Sequence, residues 1–378
     1  TQANSTERIS ETITAGYIQG EMRLFKNRVL ILGGVRFERT ENVGTGLLRD
    51  RDAIYQRDAA GNLLRGSNGQ PIPITTDPLS QAKLEYKILG KTESRTYDDF
   101  FPSVNVTINV RDDLLLRLGA GRTMGRPNFN NIVPNIDIDE DGEDSSTGVI
   151  RARNPGLKPW IAKNYDVSLE YYTKSGGVIS VGVFRKNLTG AFGQQTVLVD
   201  QAIINAFGLD PIYEGWDFIS TFNVGQETKM DGYELNLSHS LDFIHRWTKG
   251  ISVFGNVTKI EVDGPSAVQR PSTNANWGIS YANRKISVGL AWNYVGHQWN
   301  PATGIGDGGV TGRDGRTTLD LTSQFRFSPR FSFFFNARNL TDETTYALRY
   351  SNLSPDYSRV GNVGYAGVKM SVGIKGTF

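Results

Sequence analysis

The last fourteen residues of the chain, Tyr365-Ala-Gly-Val-Lys-Met-Ser-Val-Gly-Ile-Lys-Gly-Thr-Phe378, alternate between two chemical classes. Even positions are mostly apolar, and odd positions are mostly polar or small. Because successive side chains of a strand point to opposite faces, the segment predicts a strand with one apolar and one polar face. It is long enough for a tilted strand that crosses a membrane, which needs about 9–11 residues. The pattern is typical of a transmembrane β-barrel, with lipid on one face and the lumen on the other.

Composition is compatible with such a barrel and excludes several other classes. The chain has 378 residues, with 42 Gly and 11% aromatic residues, which suits strands, tight turns and interfacial aromatic belts. No apolar run is long enough for a transmembrane helix. The absence of cysteine excludes disulfides and thiolate metal sites. A formal net charge of +2 gives no sign of a nucleic-acid surface, so no nucleic-acid partner is predicted.

The same alternation predicts thirteen strands along the whole chain. They are Ile9–Phe25, Arg28–Val43, Lys91–Arg111, Leu114–Met124, Asn164–Tyr172, Val178–Leu188, Phe218–Asp242, Ile251–Glu261, Asn274–Ala282, Ile286–Trp299, Arg316–Phe327, Phe331–Asn339 and Tyr365–Phe378. Connections after odd-numbered strands are short, and those after even-numbered strands are long. The long ones cover about residues 44–90, 125–163, 189–217, 262–273, 300–315 and 340–364. Bacterial barrels have short periplasmic turns and long extracellular loops, so the predicted fold is an all-β, antiparallel transmembrane barrel.

Strand parity predicts that this barrel is partial. If the carboxyl end is periplasmic, thirteen strands place residue 1 on the extracellular side, whereas a single-chain barrel has an even strand number and begins in the periplasm. A free strand edge in lipid would leave backbone groups unpaired, so we expect further strands upstream. The first residues, from Thr1 onward, lack the features of a signal peptide. The alternative is one strand missed or split, which would give a closed barrel of twelve or fourteen strands.

Several segments resemble the carboxyl-terminal part of TonB-dependent receptors, the active importers of the Gram-negative outer membrane. Each motif is weak alone, but their order and spacing over about residues 95–378 are similar to that family. The segments are Phe101-Pro-Ser-Val-Asn105, Arg122-Thr-Met-Gly-Arg-Pro127, Asn154-Pro-Gly-Leu-Lys-Pro159, Asn164-Tyr-Asp-Val-Ser-Leu-Glu-Tyr-Tyr172, Phe184-Arg-Lys-Asn-Leu188, Asn223-Val-Gly225, Gly232-Tyr-Glu234, Phe335-Asn-Ala-Arg-Asn-Leu-Thr-Asp342 and terminal Phe378.

The resemblance implies a barrel of about 22 strands closed by an amino-terminal plug. Residues 1–378 would then be the carboxyl-terminal portion of that barrel, without the plug, the TonB box and about nine strands. It also implies an outer-membrane location and contacts with lipid, with the barrel-assembly machinery through Phe378, and with the TonB complex through the missing segment. Leu-Lys-Pro-Trp160 looks most like receptors linked to carbohydrate uptake, and siderophores are the next ligand class.

Aromatic residues in the long connections are the predicted ligand contacts, because sugars stack on aromatic rings and siderophores also use aromatic and Arg contacts. These candidates are Trp160, Tyr213, Trp216, Trp299 and Tyr350. The alternative for such residues is an interfacial belt, in which one end of each ring stays wet. No enzyme activity and no cofactor is predicted.

Two motifs and the three histidines are interpreted as structural rather than functional. Asp137-Ile-Asp139-Glu-Asp141-Gly142 matches the start of an EF-hand loop, but Gly148 stands where the bidentate Glu belongs, so a solvated acidic loop is expected. The glycines of Gly304-Ile-Gly306-Asp-Gly-Gly309 open no helix, so a flexible loop is expected.

The three histidines are the only candidates for a hydrolase base. His239 shares the parity of Leu235 and Leu237, where no buried nucleophile is expected, His245 lies in a turn, and His297 lies at a strand end.

Two other classes stay open from sequence. One is a passive channel of twelve or fourteen strands, such as a porin or a fatty-acid transporter, which an upstream plug would exclude. The other is a soluble β-sandwich, which would bury the apolar face of the last strand against protein.

Overall fold

A computed structural model of the chain describes residues 7–59, 61–140, 148–264, 272–300, 310–350, 355 and 358–377. The strands are β1 (Arg8–Leu24), β2 (Val29–Asp50), β3 (Tyr86–Arg111), β4 (Leu114–Gly125), β5 (Ile136–Glu140), β6 (Gly148–Ala152), β7 (Trp160–Tyr172), β8 (Val178–Thr189), β9 (Phe192–Leu198), β10 (Asp217–Asn223), β11 (Thr228–Ser240), β12 (Ile251–Asp263), β13 (Thr273–Ala282), β14 (Ile286–Val295), β15 (Gln298–Asn300), β16 (Val310–Arg313), β17 (Arg316–Arg326), β18 (Phe331–Arg338), β19 (Thr345–Tyr350), β20 (Val360–Gly364) and β21 (Lys369–Gly376). The helices are α1 (Pro78–Glu85), α2 (Phe129–Ile132) and α3 (Gln201–Phe207). Within this part of the chain, no helix combines the length and hydrophobicity that a membrane span needs.

Thirteen of these strands form one antiparallel sheet, which we call the wall. Its order is β1, β2, β3, β4, β7, β8, β11, β12, β13, β14, β17, β18 and β21, so each strand pairs with the next long strand along the chain. This up-and-down order confirms the predicted all-β antiparallel architecture. Within the described residues no pairing joins β1 to β21, so the sheet has two edges.

Register makes one face of the wall apolar from strand to strand. Directly paired residues lie on the same face, and one such row runs Ile108, Leu116, Leu169, Val181, Leu235 and Val257. Val181 and Leu235, in the middle of the wall, are 47% and 50% exposed. A soluble sandwich would bury this face against protein, so that alternative is wrong.

The opposite face of the wall is polar. The neighbours of the apolar row include Ser180, Asn236, Asn256, Asn276 and Asn293, which also lie in register on adjacent strands. Asn276 Nδ2 donates to Asn256 Oδ1 over 3.1 Å, and Asn236 Nδ2 donates to Ser180 Oγ over 3.3 Å. Neutral amides that bond to one another line this face, as expected for a surface in contact with water.

The connections at the two ends of the wall differ in length, as predicted. At one end, the turn end, short connections join β1 to β2, β3 to β4, β7 to β8, β11 to β12, β13 to β14 and β17 to β18. The first is a two-residue hairpin: Lys26 and Asn27 both have positive φ, and Arg28 N donates to the Phe25 carbonyl over 3.2 Å. The other end, the loop end, carries all the long connections.

Some predicted strands are too short at the loop end, since β2 continues to Asp50, β3 begins at Tyr86 and β7 begins at Trp160. Three others differ in their course. Phe218–Asp242 is not one strand: Val224–Glu227 separates β10, which pairs with β9 and β6, from β11, which belongs to the wall. Ile286–Trp299 breaks at Gly296, whose N–H bonds to Thr273 O. Pairing of the last strand begins at Lys369 rather than Tyr365, because Gly367 has a φ of 66° and cannot continue an extended chain. Phe378 lies outside the described residues.

The long connections contain regular structure, most of which sequence patterning did not predict; β10 and part of β15 were predicted as strand, but as continuations of wall strands. β5, β6, β9 and β10, with α1, α2 and α3, lie in the connections that follow β2, β4 and β8, and we call this assembly the loop layer. A second sheet, β15, β16, β19 and β20, lies in the connections that follow β14 and β18.

Residues 136–140 are therefore not the acidic loop that was predicted. They form β5, in which Ile136 and Ile138 are buried and the acidic residues alternate with them. Residues 141–147 and the glycine motif at 304–309 lie outside the described residues.

Candidate ligand-binding cleft

A cleft of about 1180 Å³ opens within the loop layer. Most residues that line the cleft come from three connections that are far apart in sequence: β2 to β3, β4 to β7, and β8 to β11. The lining is mixed: it includes apolar and aromatic side chains, amides, and both signs of charge. Representative members are Tyr55, Gln56, Arg95, Asn135, Asn154, Phe207, Leu209 and Tyr213. Such a mixture allows stacking and hydrogen bonding to one small ligand.

A compact apolar core holds the cleft open. Ile150 and Phe218 are completely buried, and the rings of Phe207 and Phe218 lie 4.7 Å apart. β10 places Phe218 there because it pairs antiparallel with β9 and parallel with β6. Burial of this kind gives the loops a fixed shape, since each large side chain removed from water stabilises the packing by about 1.5–3 kcal/mol.

Helix α3 is fixed at both ends, so the segment that follows it has a defined position in the lining of the cleft. The Asp200 carboxylate accepts a hydrogen bond from Ile203 N over 2.8 Å at the amino end. Gly208 ends the helix with a φ of 66°, a conformation that glycine adopts without strain. The chain then turns through Leu209 and Asp210 into the cleft.

Arg95 is the notable cation of the cleft. It lies on β3 opposite Asn42 of β2, on the polar side of the wall where the wall meets the loop layer. Its Nε is buried and has no hydrogen-bond acceptor among the described residues, and the buried Oδ1 of Asn42 has no hydrogen-bond donor among them. Buried polar atoms normally have a partner, so these two atoms are available to a ligand or to water.

An ion-pair network lies beside this position. Arg126 Nη2 donates to Glu38 Oε2 over 2.5 Å, and Arg36 Nε donates to the other oxygen of Glu38 over 2.6 Å. Arg126 also reaches the buried hydroxyl of Thr40. Arg126 therefore fastens the start of the β4 to β7 connection onto β2, which fixes one side of the cleft.

Glu7 makes a second tie between the wall and the loop layer. It precedes β1, and it accepts hydrogen bonds from Arg153 Nη1 over 2.6 Å and from Asn135 Nδ2 over 3.0 Å. Partial burial opposes the charge of Glu7, but these hydrogen bonds and the Arg153 guanidinium lower its pKa below the ordinary value.

Two of the predicted aromatic contacts lie together in the loop layer. The rings of Tyr213 and Trp216 are 4.9 Å apart at an interplanar angle of 66°. Both rings are buried in the same core, at 7% and 4% exposed, but only Tyr213 also lines the cleft, whereas Trp216 packs over Gly148. Trp216 therefore supports the cleft from behind.

The other three candidates lie elsewhere. Trp160 begins β7 and its ring lies over Gly125, where a Cβ would come within 2.1 Å of the indole. Trp299 lies on β15, is 46% exposed, and stacks with His297 at 6.4 Å. Tyr350 ends β19, where its backbone pairs with Val310, and its side chain lies outside the described part. The structure thus does not bring the five candidates into one site.

The histidines make structural contacts. His239 Nε2 lies 2.8 Å from Thr173 Oγ1 and 3.2 Å from Ser175 Oγ, so the β7 to β8 turn folds over its ring. His245 caps a 3₁₀ turn, and His297 Nδ1 lies 2.9 Å from Asp314 Oδ1. No group of three or more His, Asp or Glu side chains suited to a metal ion occurs in the described part of the chain.

Sequence reasoning missed most of the cleft, including Tyr55, Arg95 and Asn154. No local pattern marks these residues, because the cleft forms only when three distant connections pack together. In the sequence, Asn154 stands out only as the first residue of the segment Asn154-Pro-Gly-Leu-Lys-Pro159. In the structure its Nδ2 donates to Thr221 O over 3.0 Å, which joins two of the three connections.

Comparison with known proteins gives the family. The model described as TonB dependent receptor-like, beta-barrel, matches residues 1–340. Similar solved structures include the ferric-catecholate import receptor Fiu from Escherichia coli K12, at 13% identity and a TM-score of 0.61, with 98% of this chain and 45% of that one covered.

Two further structures are similar over 98% of this chain. A mutant of the ferric enterobactin receptor PfeA from Pseudomonas aeruginosa, in complex with enterobactin, has 15% identity and a TM-score of 0.59, with 54% of its chain covered. The siderophore receptor PirA from Acinetobacter baumannii has 15% identity and a TM-score of 0.56, with 55% covered. At these identities the likeness shows the fold.

The chain spans about half the length of these solved structures. No protein of curated function matches it in sequence. Because the family model matches nine tenths of the chain and the wall has the fold of these receptors, the chain belongs to the TonB-dependent receptor β-barrel family, whose members lie in the outer membrane.

Proposed function

We propose that the chain forms part of the wall and the ligand-binding loop layer of a TonB-dependent outer-membrane importer. The observation that carries this proposal is the preformed cleft of about 1180 Å³ at the loop end of a wall of this family. At about 1180 Å³ the cleft is slightly larger than the usual small-molecule site of about 300–1,000 Å³, which leaves room for a bulky ligand such as an oligosaccharide or an iron chelate. No covalent step is involved: the chain binds, orients and encloses its ligand.

The ligand class is a carbohydrate or a siderophore. The aromatic ring of Tyr55 suits stacking on a sugar or on a catecholate, the small exposed part of Tyr213 can add a contact, and the amides of Gln56 and Asn135 suit hydroxyl groups. The solved relatives whose names state a ligand are receptors for iron chelates. The buried Nε of Arg95, which has no acceptor among the described residues, favours a ligand that carries an acceptor oxygen or a negative charge.

The complete importer in this proposal has further strands and an amino-terminal plug. Two observations support these further parts: the described wall has two free edges, and the solved relatives are about twice as long as this chain. Ligand would bind the loop layer from outside, and TonB would pull the plug from the periplasm to open a path along the polar face. The encoding reading frame upstream of Thr1 tests this directly: a plug and a TonB box are expected there, and their absence would favour a passive channel.

Uptake measurements test the function. In a strain that lacks its own copy, the complete receptor is expected to restore uptake of one labelled ferric siderophore or oligosaccharide, and the uptake should stop when TonB is deleted. Uptake that continues without TonB would contradict the importer and support the channel.

Arg95→Ala separates the ligand classes. For an anionic chelate we expect affinity to fall about tenfold or more, since a hydrogen bond to a charged group contributes about 1.5–3 kcal/mol. A neutral oligosaccharide should lose less. Arg330→Ala, at the turn end, is the matched control and should leave affinity unchanged. Equal affinities of both variants for an anionic chelate that the receptor transports would show that the cleft is not its site.

The proposal also gives Phe378 a role in assembly, as a recognition element for the barrel-assembly machinery. Deletion of Phe378 from the complete receptor should reduce the amount inserted in the outer membrane, measured by heat-modifiable migration in membrane fractions. Unchanged insertion would contradict this role.

A further inference from the structure

The turn between β11 and β12 leaves large apolar side chains exposed, although hydrogen bonds within the turn fix its backbone. Thr248 is buried, and its Oγ1 donates to Leu241 O over 2.6 Å, while Gly250 N donates to Asp242 Oδ1 over 2.7 Å. In spite of this order, Phe243, Ile244 and Trp247 are 60%, 57% and 71% exposed. The fold thus holds three apolar side chains in a fixed outward position.

These side chains continue the apolar face of the wall. His239 lies on that face, in register with Val253, and its ring meets the Phe243 ring edge-on at 4.8 Å. Other aromatic residues occupy the same face at the same end, among them Tyr281 and Phe325 on the following strands. Phe243 therefore lies on the side of the wall that meets lipid and not on the lumen side.

Basic residues occur in the same turn as this apolar group and in the next turn along the wall. Arg246 and Lys249 belong to the same turn, and Arg284 and Lys285 form the adjacent turn between β13 and β14. All four are exposed, and none makes an ion pair within the part of the chain that the structure describes. Asp242, the one acidic residue in these two turns, already accepts the Gly250 N–H.

We propose that these two turns bind the phosphate groups of anionic phospholipids in the leaflet at the turn end. Phe243 and Trp247 would insert between acyl chains, while the long arms of Arg246, Lys249, Arg284 and Lys285 would reach the headgroups. The apolar residues argue for lipid as the partner, because they extend the lipid face and the charges lie where its headgroups begin. This site is separate from the cleft and depends only on insertion of the wall in a membrane.

Spin-labelled lipids test the site. The complete receptor is reconstituted in vesicles of phosphatidylcholine, and the motionally restricted fraction is compared for spin-labelled phosphatidylglycerol and phosphatidylcholine. We expect a preference for phosphatidylglycerol that weakens in 1 M salt. The quadruple variant Arg246→Gln, Lys249→Gln, Arg284→Gln and Lys285→Gln should lose it, by about fivefold for each headgroup-contacting charge removed. Lys83→Gln, on α1 in the loop layer, should keep it.

Three results would overturn the proposal. One is equal restriction of both lipids, and another is a preference that the quadruple variant retains. The third is full competition by millimolar inorganic phosphate, which would show a site for free anions. Depth gives an independent readout: brominated acyl chains should quench less fluorescence in Trp247→Phe than in the unsubstituted receptor. Identical quenching would place Trp247 outside the bilayer and point to a soluble protein partner instead.

Discussion

The absence of a side chain at Gly125 makes room for the Trp160 ring at the loop end of β4 and β7. A methyl group at Gly125 would come within about 2 Å of the indole, so even alanine must displace the ring. We expect Gly125→Ala to destabilise the fold by about 1–3 kcal/mol, as overpacking usually does. Urea titration of the refolded receptor in lipid would measure this loss. The same change at Gly20, which has open space around it, is the control and should cost less.

Neighbouring residues of the last strand should respond in opposite ways to charge. Val372 lies on the apolar face, paired with Phe335, and Ser371 lies on the polar face, paired with Asn336. Val372→Lys is expected to cost about 2–4 kcal/mol if it lies near the bilayer midplane, and Ser371→Lys close to nothing. Equal costs in a lipid-refolding titration would show that the two faces are assigned wrongly.

At the scale of elements, the loop layer should have a stability of its own. Phe218 is fully buried where β10 meets α3, and its truncation leaves a cavity. Phe218→Ala should destabilise the layer by about 3–5 kcal/mol. Hydrogen exchange should then accelerate in β6, β9 and β10 and stay unchanged in β11 to β14. Acceleration throughout the wall would mean that layer and wall unfold as one unit.

The stability that Glu7 contributes through its hydrogen bonds with Arg153 and Asn135 should depend on pH. The pKa of Glu7 is lowered in the folded state, so its contribution is complete above the unfolded value of about 4.3 and is lost as the pH falls through the lower folded value. We expect residues near Arg153 to lose exchange protection in acid.

Glu7→Gln should reduce the exchange protection near Arg153 already at neutral pH, by a free energy of about 1 kcal/mol. The remaining protection should no longer change with pH. Glu214→Gln, an exposed change elsewhere in the loop layer, is the control. An unchanged acid response in Glu7→Gln would assign the effect to another group.

Sequence could predict the wall strands but not the strands of the loop layer. In the wall, a strict two-residue period runs over long segments, such as the eight residues 103–110, and each face of the strand contacts a single solvent. In β5, Ile136 and Ile138 give the same period over only five residues, and the intervening aspartates made a loop the better interpretation. β10 was joined to β11 because four residues between them were too few to signal a change of partner.

At the scale of the whole molecule, the cleft was beyond sequence reasoning for a physical reason. Tyr213 could be predicted as an aromatic of a long connection, but Arg95 lies within a strand and Tyr55 in another connection. Their meeting depends on the packing of Ile150, Phe218 and Trp216, which no short-range pattern records. The same packing explains why Trp216, which has the residue type of a ligand contact, supports the cleft from its core.

The wall as a whole separates two solvents, and adjacent residues in its middle report this most directly. Residues 1–378 contain no cysteine. With any cysteine elsewhere in the complete receptor replaced by serine, single nitroxide labels at Leu235→Cys and Asn236→Cys can be compared after reconstitution in lipid. We expect the label at 235 to be accessible to oxygen dissolved in the bilayer, and the label at 236 to a water-soluble nickel chelate. If both labels met the same solvent, the barrel wall and the importer built on it would be contradicted.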